Sequence, residues 1–351
     1  MDAQRLIYTD EAAAELDRLV SELRPDRIFS VTDTTTESLC LPRLEGAEVF
    51  GSIHHITIPA SDENKTLDSV CHVWQQLQAG GATRQSLVVC VGGGMVTDLG
   101  GFAAATFKRG LRFVNIPTTL LAMVDASVGG KTGFNFGGLK NEIGVFRNAE
   151  AVVIDTAFLT TLDHANRLSG FAEMLKHSLL DAACPLDIDS PFLDGDDSAL
   201  ASLARELQQS VDVKQRIVLA DPTEKGLRKA LNLGHTIGHA FESFALRRQP
   251  VLHGYAVAWG LVCELYLSCI RCGFPTEKMH QVAHFVFENY GRLPFTCDDY
   301  PELLALMQHD KKNVAGRINF TLLRNVGEIA LDQTATTQEI EEALDFYRET
   351  M

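Results

Sequence analysis

The chain has 351 residues, 46% of them hydrophobic and 22% charged, which is typical of a globular protein too long for a single hydrophobic core. Its formal net charge of −15 opposes binding to nucleic acid, because the overall field repels phosphate backbones. No apolar run approaches the length of a bilayer-spanning helix, and acidic residues interrupt the first apolar stretches, so neither a membrane anchor nor a secretory signal is expected.

The first part of the chain alternates strand-like and helix-like stretches. The predicted strands are RIFSVTD, AEVFGSIHHITIP, SLVVCVGGG, RFVNIPT and AVVID, and the predicted helices follow Thr34 and cover 65–78, 98–108 and 120–127. Short β-rich runs separated by helices indicate a parallel sheet with crossover connections. We therefore predict an α/β domain over residues 1–160.

From residue 161 onward, long helical periodicities predict helices over 165–180, 199–219, 227–245, 254–269 and 277–288. A hairpin is predicted where RINFTLL and EIAL flank the turn Asn325-Val326-Gly327, followed by a terminal helix over 337–346. These elements predict a mainly α-helical second domain over residues 161–351. We expect a cleft at the junction of the two domains, where ligands commonly bind.

A triple glycine follows the predicted strand SLVVCV. Gly92, Gly93 and Gly94 precede a helix that contains Asp98. Such a turn lets backbone N–H groups approach a pyrophosphate at a helix N-terminus, which indicates a dinucleotide site. Thr97 stands where the usual G-x-G-x-x-G fingerprint has its last glycine, so a tight turn without a ligand is the alternative.

Polar side chains cluster among glycine-rich turns in the segment 109–141. They include Thr118, Thr119, Asp125, Lys131, Lys140 and Asn141. Lys131 follows two glycines that allow a backbone to approach an anion, and its ammonium group would supply the charge. The segment therefore indicates a phosphate site, with solvated surface lysines as the alternative.

The segment GFAEMLKH places three ionisable residues on one face of an otherwise apolar helix. These are Glu173, Lys176 and His177. An unpaired buried carboxylate there would cost several kcal/mol, which a metal ion or the lysine would offset. A metal ligand and a simple Glu173–Lys176 ion pair both remain open.

Two further segments carry histidines beside glycines. NLGHTIGHAFE places His235 and His239 four residues apart on one helical face, with Asn232 one turn earlier, and His253 precedes Gly254 at the start of another helix. Glu173, His235 and His253 would give a metal three protein ligands and leave positions open for substrate oxygens. Spacing alone does not decide whether His239 or His177 also binds the metal.

The eight cysteines are scattered through apolar stretches, as expected of reduced thiols in a cytoplasmic protein. Cys269 and Cys272 form a C-x-x-C pair, but no second pair completes a zinc site. We therefore expect no metal or redox role for them.

In order, the motifs resemble those of the 3-dehydroquinate synthases, from about residue 33 to residue 313. They are VGGGMVTDLGGFAAATFKRG, RFVNIPTTLLAMVDASVGGKTGFN, LKNEIGVF, GFAEMLKH, LNLGHTIGHAFE, LHGYAVAWG and HDKKN. This family of sugar-phosphate cyclases shares a superfamily with metal-dependent polyol dehydrogenases. The dehydrogenases typically use Asp as the third metal ligand and lack the lysines of GGKT and LKN.

The resemblance implies an N-terminal NAD-binding α/β domain, a helical domain holding zinc or cobalt and the substrate, and a homodimer. The implied substrate is a small anionic sugar acid, 3-deoxy-D-arabino-heptulosonate 7-phosphate. Its conversion to 3-dehydroquinate and phosphate proceeds by transient oxidation with NAD, phosphate elimination, re-reduction and intramolecular aldol closure. This is a step of the shikimate pathway toward chorismate and the aromatic amino acids.

The resemblance also assigns residues by position. The implied metal ligands are Glu173, His235 and His253. The resemblance and the glycine-rich segments together give the predicted cofactor-binding residues. They are Asp33, Asp62, Lys65, Gly92, Gly93, Gly94, Asp98, Thr118, Thr119, Asp125, Lys131, Lys140, Phe158 and Thr161. The implied phosphate clamp is Arg109, Lys131, Asn141 and one of Lys311 or Lys312. Lys214 and Arg228 match carboxylate-binding positions, and the residues around the ring hydroxyls are Asp125, Lys176, Asn232 and His239.

Four positions depart from the family pattern, namely Thr97, Asn166, His177 and Tyr255. None of them is an implied metal ligand or clamp lysine. Two other functions remain open: an NAD- and metal-dependent polyol dehydrogenase, and a ligand-binding regulator that kept the fold without turnover.

Overall fold

The computed structural model describes residues 4–137, 139–308 and 318–350. These residues form two compact units, the first ending at Asp163 and the second beginning at His164.

The first unit is built on a parallel β-sheet. Its strands are β1 (Leu6–Tyr8), β2 (Ile28–Asp33), β3 (Ile53–Ile58), β4 (Leu87–Gly92), β5 (Arg112–Pro117), β6 (Lys131–Phe136), β7 (Leu139–Phe146) and β8 (Ala151–Ile154). Its helices are α1 (Ala12–Leu23), α2 (Thr34–Leu39), α3 (Leu67–Ala79) and α4 (Gly94–Thr106). Six strands pair in parallel in the order β1-β8-β5-β4-β2-β3. The sheet confirms the predicted α/β architecture, and β2, β4 and β8 are buried along their whole length, as parallel strands covered by helices are.

Several boundaries in the first unit differ from the sequence prediction. The strand predicted within 47–59 begins only at Ile53, because Phe50–Ser52 form a 3-10 turn. Helix α4 begins at Gly94 rather than at residue 98, with Gly93 as its N-cap and Gly92 at the end of β4. The helix predicted over 120–127 contains a π-helical turn, Ala122–Ala126.

The segment predicted as glycine-rich turns contains an antiparallel strand pair instead. β6 and β7 pair with Lys131 opposite Phe146 and Phe134 opposite Ile143. Phe134 is buried, and its ring lies edge-on to Phe102 of α4, with 5.1 Å between ring centroids. The β6 strand therefore packs on α4, in part through this aromatic contact, while β7 remains largely exposed.

The second unit is mainly α-helical. Its helices are α5 (His164–Leu180), α6 (Leu200–Ala220), α7 (His235–Leu246), α8 (His253–Cys272), α9 (Thr276–Tyr290), α10 (Tyr300–Gln308) and α11 (Thr337–Glu349). Its two strands, β9 (Asn319–Asn325) and β10 (Glu328–Thr334), form the predicted hairpin, with Gly327 at a φ of 79° in the turn. The helical second half is therefore confirmed.

Helix α8 forms the centre of this unit. It is 20 residues long and apolar enough to cross a bilayer by length and composition, which corrects the expectation that no run approaches that length. Most of the apolar window, 67%, is buried inside the protein, and α5, α7, α9, α11 and β9 pack against it. Its apolar character is that of a core helix.

The prediction of a single helix over 227–245 is wrong. Residues Leu227–Asn232 form a 3-10 helix, and Gly234 then adopts a left-handed conformation with φ of 78°. Helix α7 begins only at His235. Asn232 therefore does not precede His235 by one turn of a continuous α-helix.

Candidate active site

Three helices of the second unit bring Glu173, His235 and His253 together. Glu173 lies in the middle of α5, and the two histidines are the first residues of α7 and α8. The Nε2 atoms of His235 and His253 lie 3.4 Å and 3.5 Å from Glu173 Oε1. One ligand atom from each residue lies within 4.8 Å of the other two. Two imidazoles and a carboxylate suit zinc or cobalt and leave coordination positions open.

Glycines let these helices approach closely enough for the three side chains to meet. A Cβ atom on Gly254, beside His253, would lie 1.9 Å from the backbone oxygen of Ser169 on α5. A Cβ atom on Gly260 would lie 2.0 Å from the backbone oxygen of Gly234, just before His235. Both contacts involve backbone atoms, so no side-chain rearrangement would relieve them. Gly254 and Gly260 therefore allow the backbone of α8 to approach the backbones of α5 and of the residue before α7.

Hydrogen bonds orient both histidine rings. His235 Nδ1 lies 3.1 Å from the backbone oxygen of Leu233, and His253 Nδ1 lies 3.4 Å from Glu242 Oε2. A donated Nδ1–H fixes the tautomer and leaves Nε2 as the ligand atom on each ring. Sequence reasoning missed Glu242, although its position seven residues after His235 places it on the same face of α7.

The two oxygens of Glu173 have different partners. Oε1 faces the two histidines, while Oε2 forms an ion pair with Lys176 Nζ. The ion pair and the metal interpretation are therefore compatible, since they involve different atoms of the same carboxylate. Burial lowers the pKa of His253, but its contacts with Glu173 and Glu242 outweigh burial and raise the pKa to about 10. Without a bound cation, the imidazolium of His253 helps to balance the buried carboxylate.

The two other histidines have different surroundings. His177 is buried, and its Nδ1 lies 2.8 Å from Ser210 Oγ on α6. The ring of His239 lies 5.2 Å from that of His235 and 6.0 Å from that of His253, measured between centroids. His239, Glu242 and His253 also place one ligand atom each within 4.8 Å of one another. The structure thus brings His239 to the cluster and directs one ring nitrogen of His177 toward α6.

Lys214 and Arg228, the implied carboxylate-binding pair, are both buried. Arg228 Nη1 donates a hydrogen bond to the backbone oxygen of Pro222, over 2.8 Å. Asp221 Oδ2 accepts from the backbone N–H groups of Gly226 and Arg228, at 2.6 Å and 3.1 Å. These backbone hydrogen bonds, that of Gly226 first, lower the pKa of Asp221 and keep it ionised. Asp221 therefore fixes the loop that carries Arg228, a role that the sequence did not reveal.

Asn232 lies in the 3-10 helix before α7. Its Nδ2 donates to Glu224 Oε1 over 3.0 Å. Glu224 has a positive φ of 60°. The asparagine is thereby tied to the same loop as Arg228.

In the first unit, the triple glycine lies at the start of α4. Gly93 is the N-cap, and among the described residues no side chain caps this helix end. Cβ atoms on Gly93 and Gly94 would lie 3.1 Å from Thr119 Cγ2 and from Ala126 Cβ. The bare backbone N–H groups and the positive end of the helix dipole suit a pyrophosphate.

Five of the predicted polar residues in this unit contact one another in two separate sets. Lys65 is buried, and its Nζ donates to Asp98 Oδ2 and to Asn141 Oδ1, both over 2.6 Å. Lys140 Nζ lies 3.0 Å from Asp62 Oδ2. The structure thus brings β7 residues against the segment around Lys65 and the first turns of α4.

The remaining predicted residues of the first unit are spread over several elements. Asp33 Oδ1 caps α2 by accepting from the backbone N–H groups of Thr35 and Thr36, each over 2.8 Å. Thr118 and Phe158 are buried, and Thr161 Oγ1 donates to the backbone oxygen of Phe158 over 3.3 Å.

The implied phosphate-clamp residues are partly described. Arg109 has a positive φ of 69°, at the turn before β5. Asp125 lies in the π-helical turn, and Lys131 is exposed at the start of β6. Lys311 and Lys312 lie outside the described residues.

Comparison with known proteins supports one family for the whole chain. Residues 55–169 match the family described as 3-dehydroquinate synthase N-terminal, and residues 170–313 match 3-dehydroquinate synthase C-terminal. A 3-dehydroquinate synthase from Parabacteroides distasonis is 50% identical over 351 residues, covering 100% of this chain and 99% of that protein.

Two solved structures share the fold. A 2-epi-5-epi-valiolone synthase from Streptomyces hygroscopicus subsp. jinggangensis 5008, with NAD+ and Zn2+ bound, is 26% identical with a TM-score of 0.86, covering 100% of this chain and 98% of that one. A 2-deoxy-scyllo-inosose synthase, in complex with carbaglucose-6-phosphate, NAD+ and Co2+, is 23% identical with a TM-score of 0.84, covering 99% and 96%. By the match of both sequence halves and the close full-length relative, this chain belongs to the 3-dehydroquinate synthase family.

Proposed function

We propose that the chain converts 3-deoxy-D-arabino-heptulosonate 7-phosphate into 3-dehydroquinate and inorganic phosphate. The observation that carries this proposal is the convergence of Glu173 Oε1 with the Nε2 atoms of His235 and His253. The name of the 50% identical relative supports the same reaction.

The two cofactors of this reaction would be NAD and a divalent cation, zinc or cobalt. Glu173, His235 and His253 would hold the cation, and the glycine turn before α4 would receive the NAD pyrophosphate. The bound NAD+ and Zn2+ of the valiolone synthase support this pair. When bound, NAD supplies a hydride acceptor that is restored within each turnover, and the cation supplies Lewis acidity toward a substrate hydroxyl. Residues 1–160 would form the NAD-binding domain and residues 161–351 the metal- and substrate-binding domain.

Local cations would hold the two anionic ends of the substrate, since the chain as a whole repels anions. Lys131 and Asn141, with Arg109 and Lys311 or Lys312, would bind the phosphate. Lys214 and Arg228 would bind the carboxylate, because a buried guanidinium presents paired donors to it. The ring hydroxyls would contact Asp125, Lys176, Asn232 and His239.

The remaining proposals concern assembly and location. We propose a cytoplasmic homodimer that binds neither nucleic acid nor membrane. The exposed apolar side chains of the β6–β7 pair support association with a second copy, because Phe136, Leu139 and Phe146 are each at least half exposed, at 51%, 59% and 51%.

A coupled assay tests the reaction. Protein incubated with the heptulosonate phosphate, NAD and Zn2+ is expected to release phosphate without accumulating NADH, because the hydride returns to the product. Chelation is expected to abolish phosphate release, and Zn2+ or Co2+ to restore it. NADH accumulation without phosphate would instead establish a polyol dehydrogenase, and NAD binding without either signal would establish a regulator.

Gly94→Val is expected to weaken NAD binding about tenfold or more, equivalent to about 1.4 kcal/mol. The added isopropyl group would stand at the first turn of α4, where backbone N–H groups would meet the pyrophosphate. Titration of NAD by calorimetry measures the effect. Gly46→Val is the control in the same unit, because the nearest side-chain atom to its Cβ is 3.9 Å away. Equal NAD affinity in both variants would show that the site lies elsewhere.

A further inference from the structure

Helix α7 begins without an N-cap side chain of its own. Its N-cap residue is Gly234, in the left-handed conformation with φ of 78°. The first N–H groups of an α-helix have no partner within the helix, so another group must accept from them. The first residue of α7 is His235, so whatever accepts these hydrogen bonds also fixes the backbone of that histidine.

The acceptor is a carboxylate from the neighbouring helix. Glu264 of α8 is fully buried, at 0% exposure. Its Oε2 accepts from the backbone N–H of Gly234 over 2.6 Å, and its Oε1 accepts from that of Ile237 over 3.0 Å. Each oxygen thus binds one amide, on either side of His235 in the chain. Charge-assisted hydrogen bonds at the positive end of a helix are strong and offset much of the cost of burying the carboxylate.

The cap requires α8 to lie close to the residues just before α7, and a glycine of α8 makes this possible. Gly260, one turn before Glu264, allows the backbone of α8 to contact the backbone oxygen of Gly234. Leu233, the residue before Gly234, supplies the carbonyl that fixes His235 Nδ1. The backbone and the ring of His235 are therefore both determined by the short turn that Glu264 binds.

We propose that Glu264 is a positioning residue for the metal centre and that it acts through His235. Its carboxylate accepts from the amides of Gly234 and Ile237, and its effect passes through these two hydrogen bonds. This inference rests on the proposed function, because it assumes that His235 binds a metal ion.

The test is a Co2+ titration of the purified protein that records both the Kd and the visible absorption spectrum. Glu264→Gln keeps the shape of the side chain but removes its charge and replaces one acceptor with a donor. It is expected to weaken Co2+ binding about 10- to 100-fold, as loss of an outer-shell partner does, and to shift the spectrum. Glu264→Asp keeps the charge but shortens the side chain, and an intermediate loss is expected.

Ser268→Ala is the matched control, one turn farther along α8. The buried Ser268 Oγ donates to the backbone oxygen of Glu264 over 2.7 Å and accepts from the N–H of Leu323 over 3.1 Å. Its loss is expected to lower the Tm while leaving the Co2+ affinity and spectrum unchanged, because its hydroxyl hydrogen bonds go to α8 and β9.

Wild-type affinity and spectrum in Glu264→Gln would overturn the inference, and so would an equal loss of affinity in Ser268→Ala. If Glu264→Gln does not fold, Glu264→Asp decides in the same way. Failure of the wild-type protein to bind Co2+ would be a different result, because it would contradict the proposed metal centre itself.

Discussion

His235→Ala is expected to lose tight metal binding and to release phosphate about 100- to 1000-fold more slowly. The Lewis acidity of a bound metal ion contributes several kcal/mol to catalysis, and each 1.36 kcal/mol changes a rate tenfold. His235 Nε2 lies 3.4 Å from Glu173 Oε1, so its removal takes one of three converging ligand atoms. The metal content of the purified protein and the initial rate of phosphate release measure the two effects.

His284→Ala is the control for this variant. His284 is an exposed residue of α9, with its Nε2 3.4 Å from Glu288 Oε1. Its replacement is expected to change neither metal content nor rate. Full activity of His235→Ala after exhaustive chelation would mean that the reaction requires no metal at this centre.

Gly254→Ala is expected to destabilise the protein by about 3 kcal/mol or more and to reduce its metal content. Overpacking typically costs about 1–3 kcal/mol, and we expect a cost at or above the top of that range because the new Cβ atom would clash with a backbone atom, which cannot move aside as a side chain can. The new Cβ atom would lie 1.9 Å from the backbone oxygen of Ser169, so α5 and α8 would have to separate. That movement would carry Glu173 away from His253. Thermal unfolding is expected to show a Tm lower by about 6 °C or more.

Gly51→Ala provides the comparison for an added methyl group without a clash. Among the described residues, no atom lies within 4 Å of the Cβ position at Gly51, apart from its chain neighbours. Its Tm and metal content are expected to match those of the wild type. If Gly254→Ala also matched the wild type in both measurements, close contact of α5 with α8 would not be what assembles the centre.

Regular periodicity made much of this fold predictable. The strands of the parallel sheet are short, apolar and separated by helices, and α5, α6, α8 and α9 carry long helical repeats. Prediction from the sequence failed where a single backbone angle or a distant contact decides the structure. Gly234 ends the continuous helix predicted over 227–245 by adopting a positive φ. The β6–β7 pair lies in glycine-rich sequence, where alternation is weak, so the strands become evident only from their pairing in the folded chain.

Some residues of the candidate site could likewise be predicted from the sequence, and others could not. His235 and His253 stand beside glycines in the sequence, and Glu173 interrupts an apolar helix face, so local pattern made them candidates while leaving His177 and His239 open. Glu264 and Asp221 have no such local signal, because a carboxylate on a helix or in a loop usually faces solvent. Their roles depend on which backbone groups the folded chain places beside them. Such partners are not encoded in the spacing of nearby residues.

The division of the Glu173 carboxylate between Lys176 and the two histidines has a further consequence. Lys176 cancels the negative charge of Glu173 while leaving Oε1 directed at the imidazoles. With neutral imidazoles, the four side chains together carry no net charge, so a divalent ion held by them would keep its full double charge. An ion held in this way would act as a strong Lewis acid toward a substrate hydroxyl group.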